Sequence, residues 1–308
     1  MTGLQRIIVV PRNGYINRIQ AWASSSILAS QLGVPCTVMW EPESVAAASP
    51  TDFFTHEAVA TEFISRAELD NLLKGPHEEL PRHLNVLGET GIAVLAGHDL
   101  GEQHFIPQLL ALLASTEIIH TLIIIAGGKF AMESTENFND LRADFYSRIP
   151  WNDVVLERVS DRPVDAEPYM GLHIRGTDRA LAAPTTAAVM GALRTITPSI
   201  HPSSLFIAAD TQEARLEWNQ RATTLGFLPW NLEPRSLDRT SVVAGIDAMA
   251  DWIVLGQSSR IVYSATSSYA EEAAVATTHF NLCIPLEAGA LRRNIRKMNR
   301  LVNLLLKR

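Results

Sequence analysis

Tyr169-Met170-Gly171-Leu172-His173-Ile174-Arg175-Gly176-Thr177-Asp178-Arg179 is the stretch on which the reading of this chain turns. Tyr169 to Ile174 reads as a short buried strand, Gly176-Thr177 as a turn, and the rest as a loop. Alternate side chains of a strand share a face, so His173 and Arg175 point the same way. Asp178 falls just past the turn, where a short acceptor can brace the loop or the guanidinium. An always-charged, planar group with five donors at the carboxyl end of a strand suits a diphosphate. A strand-end arginine paired with Asp178 for stability alone accounts for the same residues, because ion-pair networks and sites look alike.

Upstream, the chain opens as a βαβ unit. Ile7-Ile8-Val9-Val10 is the continuous apolar run of a strand buried on both faces. Pro11-Arg12-Asn13-Gly14-Tyr15 is the turn, and a helix is expected from about Asn17 to Leu32, stopped at Gly33. Cys36 to Trp40 is the second strand. A glycine-bearing turn between a parallel strand and a helix directs backbone donors to the crevice above the sheet. Asn17 and Arg18 begin the helix on that edge, although a first-turn cation is equally a solvated one. The turn lacks G-x-G-x-x-G, so a nicotinamide cofactor gains no support. Glu41, Glu43, Asp52 and His56 follow the second strand as a solvated loop or as substrate contacts. A buried helix is read over Leu109 to Leu113. A further strand, Ile118 to Ile125, runs into Ala126-Gly127-Gly128-Lys129, which is a tight turn or a close approach to a ligand.

A polar, proline-bearing segment over 160–168 marks the expected domain boundary. The strand–helix rhythm then resumes. Helices are expected at Thr185–Ile196, Thr211–Leu225, Ser241–Leu255 and Tyr269–Ala276. Strands are expected at Leu205–Ala209, Phe227–Leu232 and Arg260–Ser264. Asp210 ends one strand, and Asp247 and Asp251 lie one turn apart on a helix. Ala265-Thr266-Ser267-Ser268 leads into the last helix, with Ser268 and Glu271 spaced as a capping box. A hydroxyl-rich turn at a helix N-terminus is an anion site, or simply a cap. The pattern implies an α/β fold with an N-terminal domain at 1–160, a C-terminal domain at 161–288 and a tail at 289–308.

A chain of 308 residues favours two domains. Apolar content of 47% with 19% charged residues is that of an ordinary globular protein, and a net charge of −7 argues against a nucleic-acid partner. Two cysteines in apolar surroundings exclude a disulfide scaffold. No apolar run reaches the length of a membrane span, and the N-terminus reads as a strand, so a cytoplasmic enzyme is expected. The tail carries seven basic side chains and no acidic one. It reads as a C-terminal helix packing back on the fold, or as a surface helix making weak contact with anionic lipid.

These blocks resemble the GDP-fucose-dependent fucosyltransferase superfamily, which includes α1,6-, nodulation and protein O-fucosyltransferases. The matching residues are Gly14-Tyr15-Ile16-Asn17-Arg18, His173-Ile174-Arg175-Gly176-Thr177-Asp178, Ala208-Ala209-Asp210, Asp251 and Ser267-Ser268, in the family's order. The resemblance implies a GT-B architecture, two Rossmann-like domains facing across a cleft, and an inverting, metal-independent transfer without a cofactor. The donor implied is GDP-fucose or a related nucleotide sugar. The acceptor would be a glycan, a lipid-linked sugar or a small molecule. Arg175 would bind the β-phosphate and stabilise departing GDP, with Asn17 reaching in and Gly14 behind it. His173 and Asp251 would meet the nucleoside end, and Thr266, Ser267 and Ser268 the phosphates. Arg18, Asp178 and Asp210 complete the expected substrate-binding set. The α1,6 branch has a second arginine after the first, but this chain has Gly176, so one donor contact is missing or is supplied by Arg12, Arg18 or Arg179. A general base is not assigned, with Glu41, Glu43 and Asp52 the candidates. A binding relative without chemistry, or a transferase for another sugar nucleotide, shares the same motifs.

Overall fold

The computed structural model describes residues 3–55, 61–73, 85–87, 91–96, 107, 110–112, 114, 119–130, 137–163, 168–175, 184–196, 204–236, 238, 240–277 and 279–287. His56, Asp178, Arg179, the basic tail and part of the 109–113 helix lie outside the described residues. The chain divides into two compact units, Met1–Val154 with Asp238–Ile246, and Val155–Leu237 with Asp247–Arg308. Among the described residues, no helix is long and apolar enough to cross a membrane.

The first unit is built from β1 (Arg6–Pro11), α1 (Tyr15–Leu32), β2 (Cys36–Val38), β3 (Glu62–Phe63), α2 (Arg66–Leu72), β4 (Asn85–Leu87), β5 (Ile92–Ala96), β6 (Thr121–Ala126) and α3 (Phe138–Ser147). Its sheet has the order β3-β2-β1-β6-β5-β4. β1 pairs in parallel with β2 and β6, and β4 runs antiparallel to β5. Ile7 to Val10 are all buried, as strands covered on both faces require. α1 ends where Gly33 enters the left-handed region at φ 68°, and Val34 N–H returns to Ala29 O at 3.0 Å. The helix is anchored by Trp22, which is fully buried with Phe54, Phe63 and Phe145 set edge-on around it.

α4 (Asp153–Ser160) opens the second unit, apart from its first two residues. There follow β7 (Tyr169–Ile174), α5 (Thr186–Ile196), β8 (Ser204–Ala209), α6 (Gln212–Thr224), β9 (Leu228–Trp230), α7 (Val242–Gly256, of which 242–246 fall in the first unit), β10 (Ile261–Ser264), α8 (Ser268–Ala276) and β11 (Ile284–Leu286). The sheet order is β11-β10-β7-β8-β9, with every pair parallel. Met170, Leu172, Leu205 and Ile207 from the strands meet Val189, Leu193, Trp218 and Ala222 from α5 and α6 in one core. Each of the Val, Leu, Ile and Met side chains contributes about 1.5–3 kcal/mol on burial.

In each sheet the order of strands reverses beside the strand that opens the unit. From β7 the chain steps to β8 and β9 on one side, then returns to set β10 and β11 on the other. In the first unit β2 and β3 lie on one side of β1, with β6, β5 and β4 on the other. At such a reversal the loops leaving the two neighbouring strands diverge, and the carboxyl edge opens into a crevice.

The helix following β10 starts one residue earlier than the spacing suggested. Ser267, not Ser268, is the N-cap, and its hydroxyl accepts from Ala270 N–H at 3.3 Å. A tight turn sets this register, since Ser267 N–H donates to Ser264 O at 2.9 Å.

Candidate functional site

The second unit gathers chemistry at the carboxyl edge of its central strands. His173 and Ile174 pair with Ala208 and Ala209, so Arg175 and Asp210 leave neighbouring strands at the same level. β10 flanks β7 on the other side and ends at Ser264, followed by Thr266, Ser267 and Ser268. Arg175 and the hydroxyl-rich turn therefore stand on the two sides of the strand-order reversal. Ser267 is buried and engaged as the cap, while Ser264 and Thr266 join their hydroxyls at 3.0 Å. Arg175 is half-buried, and Thr266 and Ser268 are half-buried with it.

His173 is buried, with its ring stacked on Tyr269 at 5.2 Å between centroids. Its Nδ1 is buried and has no hydrogen-bond partner. Burial pushes the imidazole down to about 4, with Asp210 opposing and Arg175 reinforcing the shift. His173 is therefore neutral at pH 7. Tyr269 in turn donates its hydroxyl proton to Ala248 O on α7 at 2.7 Å.

Asp251, also on α7, is buried and takes a hydrogen bond from Arg215 Nη2 at 2.9 Å. Burial still raises its carboxyl to about 6 against the pull of Arg215 and Arg158. Asp247, one turn earlier, accepts from Arg158 Nε at 3.0 Å and from Arg235 Nε at 2.8 Å. Arg158 also bonds Asp161 and the carbonyl of Glu233. Asp247 is thus committed to bracing α4 and the chain after β9.

In the first unit, the turn after β1 meets the turn after β6. Arg12 N–H donates to Ala126 O at 2.9 Å and Asn13 Nδ2 to Gly127 O at 3.0 Å, with Asn13 itself left-handed at φ 70°. Gly14 is the N-cap of α1, and Asn17 sits half-buried in the first turn. Arg18 is fully buried rather than turned outward. Its Nε donates to Asn13 O at 2.9 Å, Nη1 donates to Glu41 O, and Nη2 lies 3.1 Å from Glu43. Its guanidinium packs over Trp40. With its donors spent on Asn13, Glu41 and Glu43, Arg18 braces the turn from behind. The carboxylates weighed as bases are also engaged: Glu43 by Arg12 and Arg18, Asp52 by Ser49 N–H at 2.7 Å, and Glu41 by Arg66 at 3.8 Å. Sequence reasoning did not single out Arg215, Arg158 or Tyr269, each of which supports a residue that it did single out. Among the described residues, no group of three or more His, Cys, Asp or Glu side chains could hold a metal ion.

The geometry defines a class, a pair of Rossmann-like α/β units, one built on a parallel sheet and one on a mainly parallel sheet. That fold is the one found in solved fucosyltransferases. The chain matches fucosyltransferase NodZ from Bradyrhizobium with a TM-score of 0.60 at 16% identity, over 89% of this chain and 94% of that one. It matches Arabidopsis thaliana FUT1 in complex with GDP with a TM-score of 0.61 at 13% identity, over 89% and 68%. It matches POFUT1 in complex with GDP-fucose with a TM-score of 0.55 at 11% identity, over 93% and 98%. The likeness read from the motifs is therefore borne out in the fold. No protein-family model matches the chain, and no curated protein matches it by sequence.

Proposed function

We propose that the protein is a glycosyltransferase that transfers fucose from GDP-fucose to an acceptor hydroxyl, by an inverting, metal-independent mechanism. The observation that carries this reading is Arg175, leaving the central strand at the strand-order reversal beside the N-terminus of α8. Breaking the bond between sugar and phosphate builds negative charge on the diphosphate while the sugar becomes cationic. A guanidinium and a helix N-terminus already in place bind that growing charge more strongly than the ground state.

In this reading Arg175 holds the β-phosphate, and Thr266 and Ser268 contact the phosphates, with Ser267 holding the helix start. Neutral His173 and Asp251 meet the nucleoside end, with Asp210 beside them. Gly14 and Asn17 belong to the acceptor side, and Arg18 sets their turn from behind. Asp178, outside the described residues, would brace the loop or the guanidinium of Arg175. The acceptor is a glycan, a lipid-linked sugar or a small molecule. Two proteins of the same fold support the donor assignment, since NodZ was soaked with GDP-fucose and co-crystallised with GDP, and POFUT1 was solved with GDP-fucose.

Calorimetry with GDP, GDP-fucose and UDP-sugars, followed by a donor-hydrolysis assay, tests the reading. Binding of GDP and GDP-fucose in preference to UDP-sugars, with release of fucose, is expected. Preference for UDP-sugars would refute the donor, and binding without turnover would refute the chemistry.

A further inference from the structure

Resting on the donor reading above, we propose that Arg215 is the positioning residue of the site, locking Asp210 and Asp251 into one arrangement. Arg215 belongs to α6 yet is buried, and each nitrogen of its guanidinium is used on a different element. Nε donates to Ala209 O at 3.0 Å, at the peptide that carries Asp210. Nη1 donates to Leu232 O at 3.0 Å, in the chain leaving β9. Nη2 donates to Asp251 Oδ2 at 2.9 Å on α7. A planar fork with donors on three separate nitrogens holds three acceptors in register, whereas the three N–H groups of a lysine ammonium leave one nitrogen and cannot reach all three with that geometry.

The second consequence is electrostatic. Burial works to protonate Asp251, and Arg215 is the largest influence opposing it. Arg158 on α4 adds to that pull, Asp247 on α7 works against it, and the Tyr269 phenol of α8 lies within electrostatic reach. An ionised carboxylate offers only acceptors, the state that suits N–H groups on a nucleobase edge. Only one Asp251 oxygen is bonded by Arg215, so the other can accept from a ligand. Arg215 thus decides both where this carboxylate sits and whether it carries charge at neutral pH.

GDP affinity measured by calorimetry from pH 5 to pH 8 tests the proposal, alongside thermal melts. For the wild type, affinity is expected to fall as pH drops through about 6, where Asp251 takes up its proton. Arg215→Lys keeps a positive charge and is expected to fold, to bind GDP several-fold more weakly, and to hold the same pH midpoint. Arg215→Met is expected to bind at least tenfold more weakly at pH 7, with its midpoint moved upward. A purely structural Arg215 would lower the melting temperature and leave the midpoint where it was. Unchanged affinity in Arg215→Lys, or an unmoved midpoint in a folded Arg215→Met, would overturn the inference and leave the donor reading standing. Wild type that binds no GDP would overturn the donor reading and this inference with it.

Discussion

His173 lies against Tyr269 with ring centroids 5.2 Å apart and planes 28° from parallel, and its Nδ1 is buried without a partner. Tyr269 cannot slide, because its hydroxyl is fixed to Ala248 O. The stack therefore holds a neutral imidazole near the end of β7, within electrostatic reach of Arg175 just beyond it. An unpartnered buried nitrogen costs roughly 1–3 kcal/mol in the free protein, and a ligand that bonds it recovers part of that.

The first prediction follows from this burial. In the unfolded chain His173 takes up a proton near its ordinary 6.5, and in the folded protein only near 4. Between those values the unfolded state binds more protons, so stability is fully present above about pH 6.5 and falls as pH drops toward 4. His173→Phe keeps the stack and removes the titration. Urea midpoints measured at pH 7 and pH 4.5 should therefore differ less in the variant than in the wild type. An equal drop in both would show that His173 is not held neutral by the fold.

Arg175 supplies the second prediction. Removing one pre-placed donor from a site of charge development typically costs on the order of 10²–10³-fold in kcat. Arg175→Ala should lose donor turnover on that scale while its circular dichroism and melting temperature stay near wild type, since Arg175 is only half-buried. Arg175→Lys should recover little, because a single ammonium lacks the bidentate geometry. Turnover near wild type in Arg175→Ala would remove the residue from the mechanism.

The strands that position this site were legible because each is a run of apolar residues buried on both faces. Ile7–Val10 and Leu205–Ala209 stand as expected within β1 and β8, and the stop at Gly33 follows from its left-handed backbone. The expected helix over Asn17–Leu32 begins two residues earlier, at Tyr15. Of the edge strands, β9 lies within the expected Phe227–Leu232, whereas β3 and β11 were not legible: β3 has two residues, and β11 carries Pro285 at its centre, so neither offers a periodic signal. Arg18 and Arg215 were misread or passed over for a common reason. A helical arginine reads as a solvated face until its acceptors are known, and here these are carbonyls and carboxylates of other elements: Asn13, Glu41 and Glu43 for Arg18, and Ala209, Leu232 and Asp251 for Arg215. The choice between Ser267 and Ser268 was likewise open locally and was settled by the turn from Ser264.

A third prediction concerns Gly171, at the centre of β7. A Cβ placed there would lie 2.6 Å from Leu255 Cδ1 and 3.0 Å from Ser258 Oγ. Leu255 is fully buried, and Ser258 is held by bonds to Leu255 O and Arg260 O, so neither can withdraw freely. Gly171→Ala should destabilise by about 1–3 kcal/mol through overpacking. Adding Leu255→Val should return part of the loss, giving a coupling that neither single variant explains. Strictly additive effects would mean that Leu255 is not the obstructing group.

The last prediction turns on Arg18 and Glu43, 3.1 Å apart behind the turn that carries Gly14 and Asn17. Arg18 is fully buried and also supplies the donors for Asn13 O and for Glu41 O. Removing one partner of a fully buried pair costs about 3–5 kcal/mol, because the other charge is stranded. Glu43 keeps some exposure and a second partner in Arg12, which softens the loss. Arg18→Met should therefore cost about 2–3 kcal/mol in urea denaturation, within the range expected for a broken buried network. Arg18→Lys should recover only a minor part, since one ammonium cannot serve three acceptors on two loops. Arg18→Met/Glu43→Gln should regain part of the stability, as the stranded charge is then gone. If the double variant is no more stable than Arg18→Met, the two carbonyl bonds, and not the ion pair, hold the turn.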